Sequence, residues 1–235
     1  MSPRLISHRG KIGLDSPEND LVGIQEAIDL GVDMVEFDVR RTNDGILVCY
    51  HDADINGTPI SELSFKEVNF AKKNISKLDE VINLCKDKIG VNLEIKEEGF
   101  EDRIVKLLTS NFSYEDFFVT SFSSLVVKKI KTLDSKITAG LLVGDAINYQ
   151  VFYNILKEAL FMTEFYSSKA DFISPFYKIY EMGLMKNFEK VGIPIQLWTV
   201  NDLNFLKDLI NSDIQSVVTD VSRNYFQMHL NSKDV

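Results

Sequence analysis

The sequence predicts a single α/β domain over residues 1–235, a (β/α)8 TIM barrel with a short insertion after the second strand. Three observations lead there. A β-rich run followed by a helical pattern recurs eight times along the chain, as parallel strands joined by helices require. No low-complexity or Pro/Gly/Ser linker divides the 235 residues, and eight units in so short a chain favour a closed barrel over an open sheet. The polar motifs also fall where strand runs end, at the rim where barrels carry their chemistry.

The elements follow in order. Leu5–His8 is the first strand run. Ser16-Pro17-Glu18-Asn19 reads as a helix start, Ser16 as N-cap and Pro17 at the first position, with Leu21, Ile24, Ala27 and Ile28 as the apolar stripe and Gly31 as the stop. Met34–Val39 is the second strand, extended after the Asn43-Asp44-Gly45 turn by Ile46–Tyr50. A helix over Leu78–Lys88 leads to the strand Val91–Ile95, and helix 100–110 to Phe117–Ser121. Helix 123–133 leads to Thr138–Val143, and the long stretch 147–167 to Phe172–Ser174. Helix 177–190 precedes Ile195–Val200, helix 202–211 precedes Ile214–Thr219, and a last helix covers 222–231.

Hydrophobic residues make up 45% and charged residues 26% of the chain, ordinary for a globular protein. The formal charge of −9 disfavours nucleic acid and anionic membranes as partners. If the substrate is an anion, local positive charge has to come from a metal or from a few placed Arg and Lys. The two cysteines, Cys49 and Cys85, sit in no CxxC pattern and suit buried thiols in a reducing compartment. No run approaches the ~18 apolar residues of a membrane span, so no stable membrane insertion is expected. The N-terminal residues lack an apolar signal region, and cytoplasm is the expected compartment.

Of the three histidines, His8 ends the first strand beside Arg9, His51 follows the extension of the second strand beside Asp52, and His229 lies on the final helix and reads as surface. A His beside an Arg, taken alone, is more often structural than catalytic. Glu36 and Asp38 share one side of the second strand while Phe37 faces the other way. Two crowded carboxylates repel unless a cation or strong donors lie between them; a solvated pair is the plain alternative. Glu94 and Lys96 repeat the geometry on the third strand. A third carboxylate from that neighbour would complete an oxygen site for Mg2+ or Ca2+.

The ordered set His8-Arg9-Gly10, Pro17-Glu18-Asn19, Glu36-x-Asp38, Asp44-Gly45, His51-Asp52 and Glu94-x-Lys96 resembles the glycerophosphodiester phosphodiesterase family. Thr120-Ser121-Phe122-Ser123, Trp198-Thr199-Val200-Asn201 and Val217-Val218-Thr219-Asp220 extend the resemblance over nearly the whole chain. The resemblance implies a metal-dependent phosphodiesterase of glycerol and lipid metabolism that hydrolyses glycerophosphodiesters to sn-glycerol 3-phosphate and an alcohol. It implies His8 and His51 as the general acid/base pair, Glu36, Asp38 and Glu94 as ligands of one divalent cation, and Arg9 and Lys96 as the phosphate contacts. Glu18 is carried over as a supporting residue, either orienting a site group or favouring a helix N-terminus. Trp198 is a substrate wall or barrel packing.

Two departures stand out. Asp20 follows Asn19 where the family commonly has Thr, and segment 52–76 is shorter than the insertion of many relatives, which leaves the released alcohol open. The enzymatic alternative is a lysophospholipase D-like activity on lysolipids, which calls for an apolar mouth. The alternative of another class is a non-catalytic phosphate-binding barrel.

Overall fold

In a computed structural model that describes residues 2–144 and 149–233, eight parallel strands form the expected barrel. They are β1 (Arg4–Ser7), β2 (Met34–Arg41), β6 (Gly90–Ile95), β7 (Phe117–Ser121), β8 (Thr138–Val143), β9 (Phe172–Pro175), β10 (Gln196–Leu197) and β11 (Ser216–Thr219). Their order is β10-β11-β1-β2-β6-β7-β8-β9. The ring closes between β9 and β10 through two isolated parallel bridges, Ile173 to Ile195 and Phe176 to Trp198. β3 (Leu47–Cys49) is the extension of the second strand seen in the sequence. It folds back antiparallel on β2, pairing Val39 with Cys49.

Strand alternation builds two cores. Outward residues such as Val35, Phe37, Val91, Leu93, Val119 and Ile173 pack under the helices. Inward residues at the base, Ile6, Met34, Phe118, Phe172 and Val218, fill the barrel. Gly140 belongs to that inner layer, because a β-carbon there would overlap the ring of Phe172. Above this apolar plug the inward positions turn polar, with Glu36, Asp38, Asn92, Glu94, Thr120, Ser174 and Gln196 all buried.

The helices that cover the barrel are α1 (Leu21–Leu30), α3 (Leu78–Cys85), α4 (Glu101–Thr109), α5 (Ser124–Leu133), α6 (Tyr149–Phe161), α7 (Thr163–Ser168), α8 (Tyr177–Glu181), α9 (Lys186–Lys190), α10 (Leu203–Leu209) and α11 (Ser222–Lys233). Three helical assignments differ from the sequence reading. α1 starts after Asp20, whose side chain accepts from Val22 N at 2.7 Å; Ser16 is not its cap. Residues 17–19 are drawn instead into the rim, with Asn19 at φ 54°. The stretch 177–190 is broken into α8 and α9 around Gly183, whose φ of 72° leaves the right-handed helical region. The stretch 147–167 is two helices, α6 and α7, and residues 147 and 148 lie outside the described residues. Among the described residues, no helix is long and apolar enough to cross a membrane.

Segment 52–76 holds a two-stranded hairpin, β4 (Asp54–Ile55) and β5 (Thr58–Pro59), and α2 (Phe65–Ala71). Asn56 and Gly57 take positive φ in the hairpin turn, as a tight two-residue loop requires. Ser64 and Glu67 form a capping box at the start of α2. Val48, Ile55, Ile60, Val68 and Ile75 give the segment a small core of its own beside β3.

Candidate active site

The C-terminal rim gathers the residues the sequence singled out. His8 and Arg9 lie on a helical turn directly after β1. Arg9 has φ 54° and Gly10 φ 73°, and a β-carbon on Gly10 would come within 2.7 Å of the Ile24 side chain. This tight turn aims the Arg9 backbone N–H at Glu36 Oε2, 2.9 Å away. His8 Nδ1 stands 2.9 Å from Asp220 Oδ1 at the end of β11. Asn201 donates to Asp220 Oδ2 at 2.7 Å and accepts from the Asp220 backbone N–H at 2.9 Å. Lys11 Nζ lies 3.5 Å from Asp220 Oδ1.

His51 has a matching partner. Its Nδ1 stands 2.8 Å from Asp52 Oδ1, and Arg40 holds its backbone carbonyl through Nε at 2.9 Å and a terminal nitrogen at 2.7 Å. In each pair the carboxylate engages Nδ1, the ring nitrogen opposite Nε2. The side chain of His229 lies outside the described side chains.

Glu36, Asp38 and Glu94 each offer an oxygen, and these atoms lie within 4.8 Å of one another. Asp38 is 1% exposed and held on all sides. Asn19 donates to its Oδ2 at 2.9 Å and accepts from its backbone N–H at 3.0 Å. Arg9 Nε approaches Oδ2 to 3.2 Å, and Lys96 Nζ approaches Oδ1 to 2.9 Å. Lys96 Nζ also lies 2.5 Å from Glu94 Oε1. The Arg9–Asp38 and Lys96–Glu94 contacts are ion pairs whose geometry falls short of hydrogen-bond alignment. Glu36 Oε1 is buried with no hydrogen-bond partner, an arrangement that costs free energy unless another group supplies the missing contact. Three hard oxygen donors, one of them orphaned, fit a divalent cation such as Mg2+ or Ca2+.

The electrostatics follow from the crowding. Burial, then Asp38 and Glu94, push the Glu36 carboxyl well above the usual carboxylate range, against the pull of Arg9. Burial lifts Glu94 to about 7 even against Lys96, with Asp38 adding to the effect. Burial would raise Asp38 too, but Lys96, Arg9 and the Asn19 hydrogen bond overcome it and hold that carboxyl at about 2. Asp220 is likewise held at about 2, its burial outweighed by His8, Asn201 and Lys11. His51 is pushed below the ordinary histidine value by burial, with Asp52 opposing and Lys96 and Arg9 assisting.

Glu18 lies just before α1 and accepts from Arg9 at 2.9 Å. Trp198 packs into the barrel. Its Nε1 donates to Ser174 O at 2.8 Å, its ring rests on the inner apolar plug, and Phe122 meets it edge-on at 5.5 Å. Beyond Phe122 a cavity of about 410 Å³ opens, lined by Leu142, Val143 and Ile155 together with Lys157, Glu158 and Glu164. Asn19, Arg40, Asn201 and the role of Asp220 went unread in the sequence. Asn19, Asn201 and Asp220 stand inside sequence motifs, but only the fold shows what they touch.

Fold and rim together define a class: a barrel enzyme equipped with anchored histidines and an acidic cluster for work on an anionic ester. Residues 8–223 match the model of the Glycerophosphoryl diester phosphodiesterase family, and the chain belongs to that family. It is 27% identical to the glycerophosphodiester phosphodiesterase of Caldanaerobacter subterraneus subsp. tengcongensis, over 94% of this chain and 95% of that protein. Among solved structures it resembles the glycerophosphodiester phosphodiesterase of Thermotoga maritima, with TM-score 0.76, 24% identity and coverage of 97% and 99%. It also resembles an Oleispira antarctica phosphodiesterase solved in complex with the product sn-glycerol-3-phosphate, with TM-score 0.76, 21% identity and coverage of 98% and 97%.

Proposed function

We propose that this chain hydrolyses glycerophosphodiesters to sn-glycerol 3-phosphate and a free alcohol, with His8 and His51 as the acid/base pair. The observation that carries this reading is the pairing of each histidine with its own carboxylate at one rim, Nδ1 on Asp220 for His8 and on Asp52 for His51. With Nδ1 tied, Nε2 of one ring accepts the proton of the attacking hydroxyl and Nε2 of the other returns a proton to the departing alkoxide. The nucleophile is water, or the glycerol 2-hydroxyl through a cyclic phosphate that water then opens. Arg9 and Lys96 oppose the charge of the phosphodiester, supplying the local positive field that a chain of net charge −9 otherwise lacks. Glu18 steadies Arg9.

Glu36, Asp38 and Glu94 would hold one divalent cation, Mg2+ or Ca2+. When bound, it would lower the pKa of a nearby hydroxyl and offset the charge that develops on phosphate. The test is release of glycerol 3-phosphate from a panel of glycerophosphodiesters with and without EDTA. Activity is expected to vanish in chelator and return with Mg2+ or Ca2+; chelator-insensitive turnover would remove the metal from this account.

The cavity beside Phe122 favours a second reading, a lysophospholipase D-like activity in which that space takes an acyl chain. Turnover of lysophosphatidylcholine in preference to glycerophosphocholine separates it from the first. We expect a small-molecule substrate, not nucleic acid, and a cytoplasmic setting, which fractionation of native cells tests.

A further inference from the structure

Lys96 is placed unusually for a residue meant to meet a substrate anion. Its side chain is 10% exposed, and its ammonium stands 2.9 Å from Asp38 Oδ1 and 2.5 Å from Glu94 Oε1. Those are two of the three carboxylates that offer oxygens to one point. Arg9 pairs with the same Asp38 from its other oxygen, at 3.2 Å, and with Glu18 at 2.9 Å. Both candidate phosphate ligands therefore already neutralise carboxylates. With all three carboxylates ionised, the state that binds a cation, Glu36, Asp38 and Glu94 contribute three negatives against two positives from Arg9 and Lys96, a net −1. A phosphodiester monoanion is repelled by such a site, whereas adding a dication turns the sum to +1. A dication drawing on Asp38 Oδ1 and Glu94 Oε1 competes with the ammonium already on those oxygens, and like charges at this range repel strongly. The nearby ring of Phe122, with Lys96 Nζ 6.0 Å from its centroid, offers the displaced ammonium a cation–π face on the rim side.

We propose that Lys96 is an exchangeable counter-cation: an entering divalent cation displaces it from Asp38 and Glu94, and the released ammonium becomes the ligand of the substrate's phosphate. This rests on the metal site of the proposed function and adds an order of events to it. Cation and anion then bind with positive coupling, each raising the affinity for the other by the same factor. Removing the lysine has opposite effects on the two ligands.

Calorimetric titration tests this, using Ca2+ and glycerol 3-phosphate as probes, on the wild-type protein and Lys96→Met. Lys96→Met is expected to bind Ca2+ at least about tenfold more tightly, the effect of losing one nearby like charge, and glycerol 3-phosphate more weakly. In the wild type, Ca2+ is expected to raise glycerol 3-phosphate affinity. Equal or weaker Ca2+ binding by Lys96→Met overturns the exchange, because the lysine then only orients the carboxylates. Absence of Ca2+ and Mg2+ binding by both proteins instead overturns the metal reading itself. A Lys96→Met protein that fails to fold leaves a wild-type readout: the Lys96 ammonium 15N resonance is expected to move as Ca2+ saturates the protein, and a stationary resonance overturns the proposal.

Discussion

His8 Nδ1 and Asp220 Oδ1 stand 2.9 Å apart although 212 residues separate them in the chain. The contact joins the first strand of the barrel to the last across the β1–β11 ladder, where Ser7 pairs with Thr219. Asn201 holds Asp220 through two hydrogen bonds, just as Asn19 holds Asp38. The same clamp, an amide that donates to the carboxylate and accepts from its backbone N–H, thus fixes an aspartate on two sides of the rim.

Asp220→Asn keeps the size of the side chain and removes the charge that orients His8. As a positioning residue, Asp220 is expected to cost about 10- to 100-fold in kcat on substitution, with little change in KM. His8→Ala is expected to lose more, ~100- to 10,000-fold. Steady-state kinetics on glycerophosphocholine measure both. An unchanged kcat for Asp220→Asn would separate Asp220 from the chemistry.

His51 is lowered by burial while Asp52 works against that shift. Removing the Asp52 charge leaves the lowering factors, burial with Lys96 and Arg9, unopposed. The limb of the kcat/KM–pH profile that belongs to His51 is therefore expected to move to lower pH in Asp52→Asn. A pH profile of the variant against the wild type measures it, and movement to higher pH contradicts the assignment.

Glu36 carries a raised carboxyl pKa in the folded protein. Above the ordinary carboxylate range the unfolded chain has released a proton that the folded protein keeps. The folded state then binds more protons, so this group makes stability fall as pH rises through the window between the two values. Below that window it contributes nothing. In EDTA, Glu36→Gln is expected to melt a few degrees above the wild type near neutral pH, with the gap closing toward pH ~4. The same variant is expected to lose the stabilisation that added Ca2+ or Mg2+ gives the wild type. Melting curves at several pH values, with and without the cation, test both statements.

Gly140 faces the apolar plug inside the barrel, where an added methyl would overlap the Phe172 ring. Gly140→Ala is expected to cost ~1–3 kcal/mol through overpacking, which lowers Tm by several degrees in a chain of this size. KM is expected to change little, since the plug lies beneath the rim. Thermal unfolding and kinetics on the same sample measure both.

The barrel was legible because its strands carry period-2 alternation and its helices an apolar stripe. Glu36-Phe37-Asp38 shows it best: two acids turn into the barrel and a fully buried phenylalanine turns out under the helices. The start of α1 was not legible. Ser16-Pro17 is a sound local signal for a helix, but Asn19 is drawn into the rim by Asp38, and the start shifts to Asp20. The break at Gly183 had a visible cause in the glycine itself; periodicity on either side masked it. Arg40 was missed because its target is the backbone carbonyl of His51, which no side-chain pattern reveals. Asp220 shows no role in the sequence because its partner, His8, sits at the opposite end of the chain.

The closure between β9 and β10 has a consequence for how this ring breathes. Other neighbouring strands share continuous ladders, whereas these two meet through isolated bridges, and the Trp198 indole donates across the gap to Ser174 O. The wall is expected to open most readily at this place, with amides near Gln196 and Leu197 exchanging with solvent ahead of those in β2 and β6. Trp198 thus serves as a clasp where the ring is joined by isolated bridges, through its indole bond to Ser174 O.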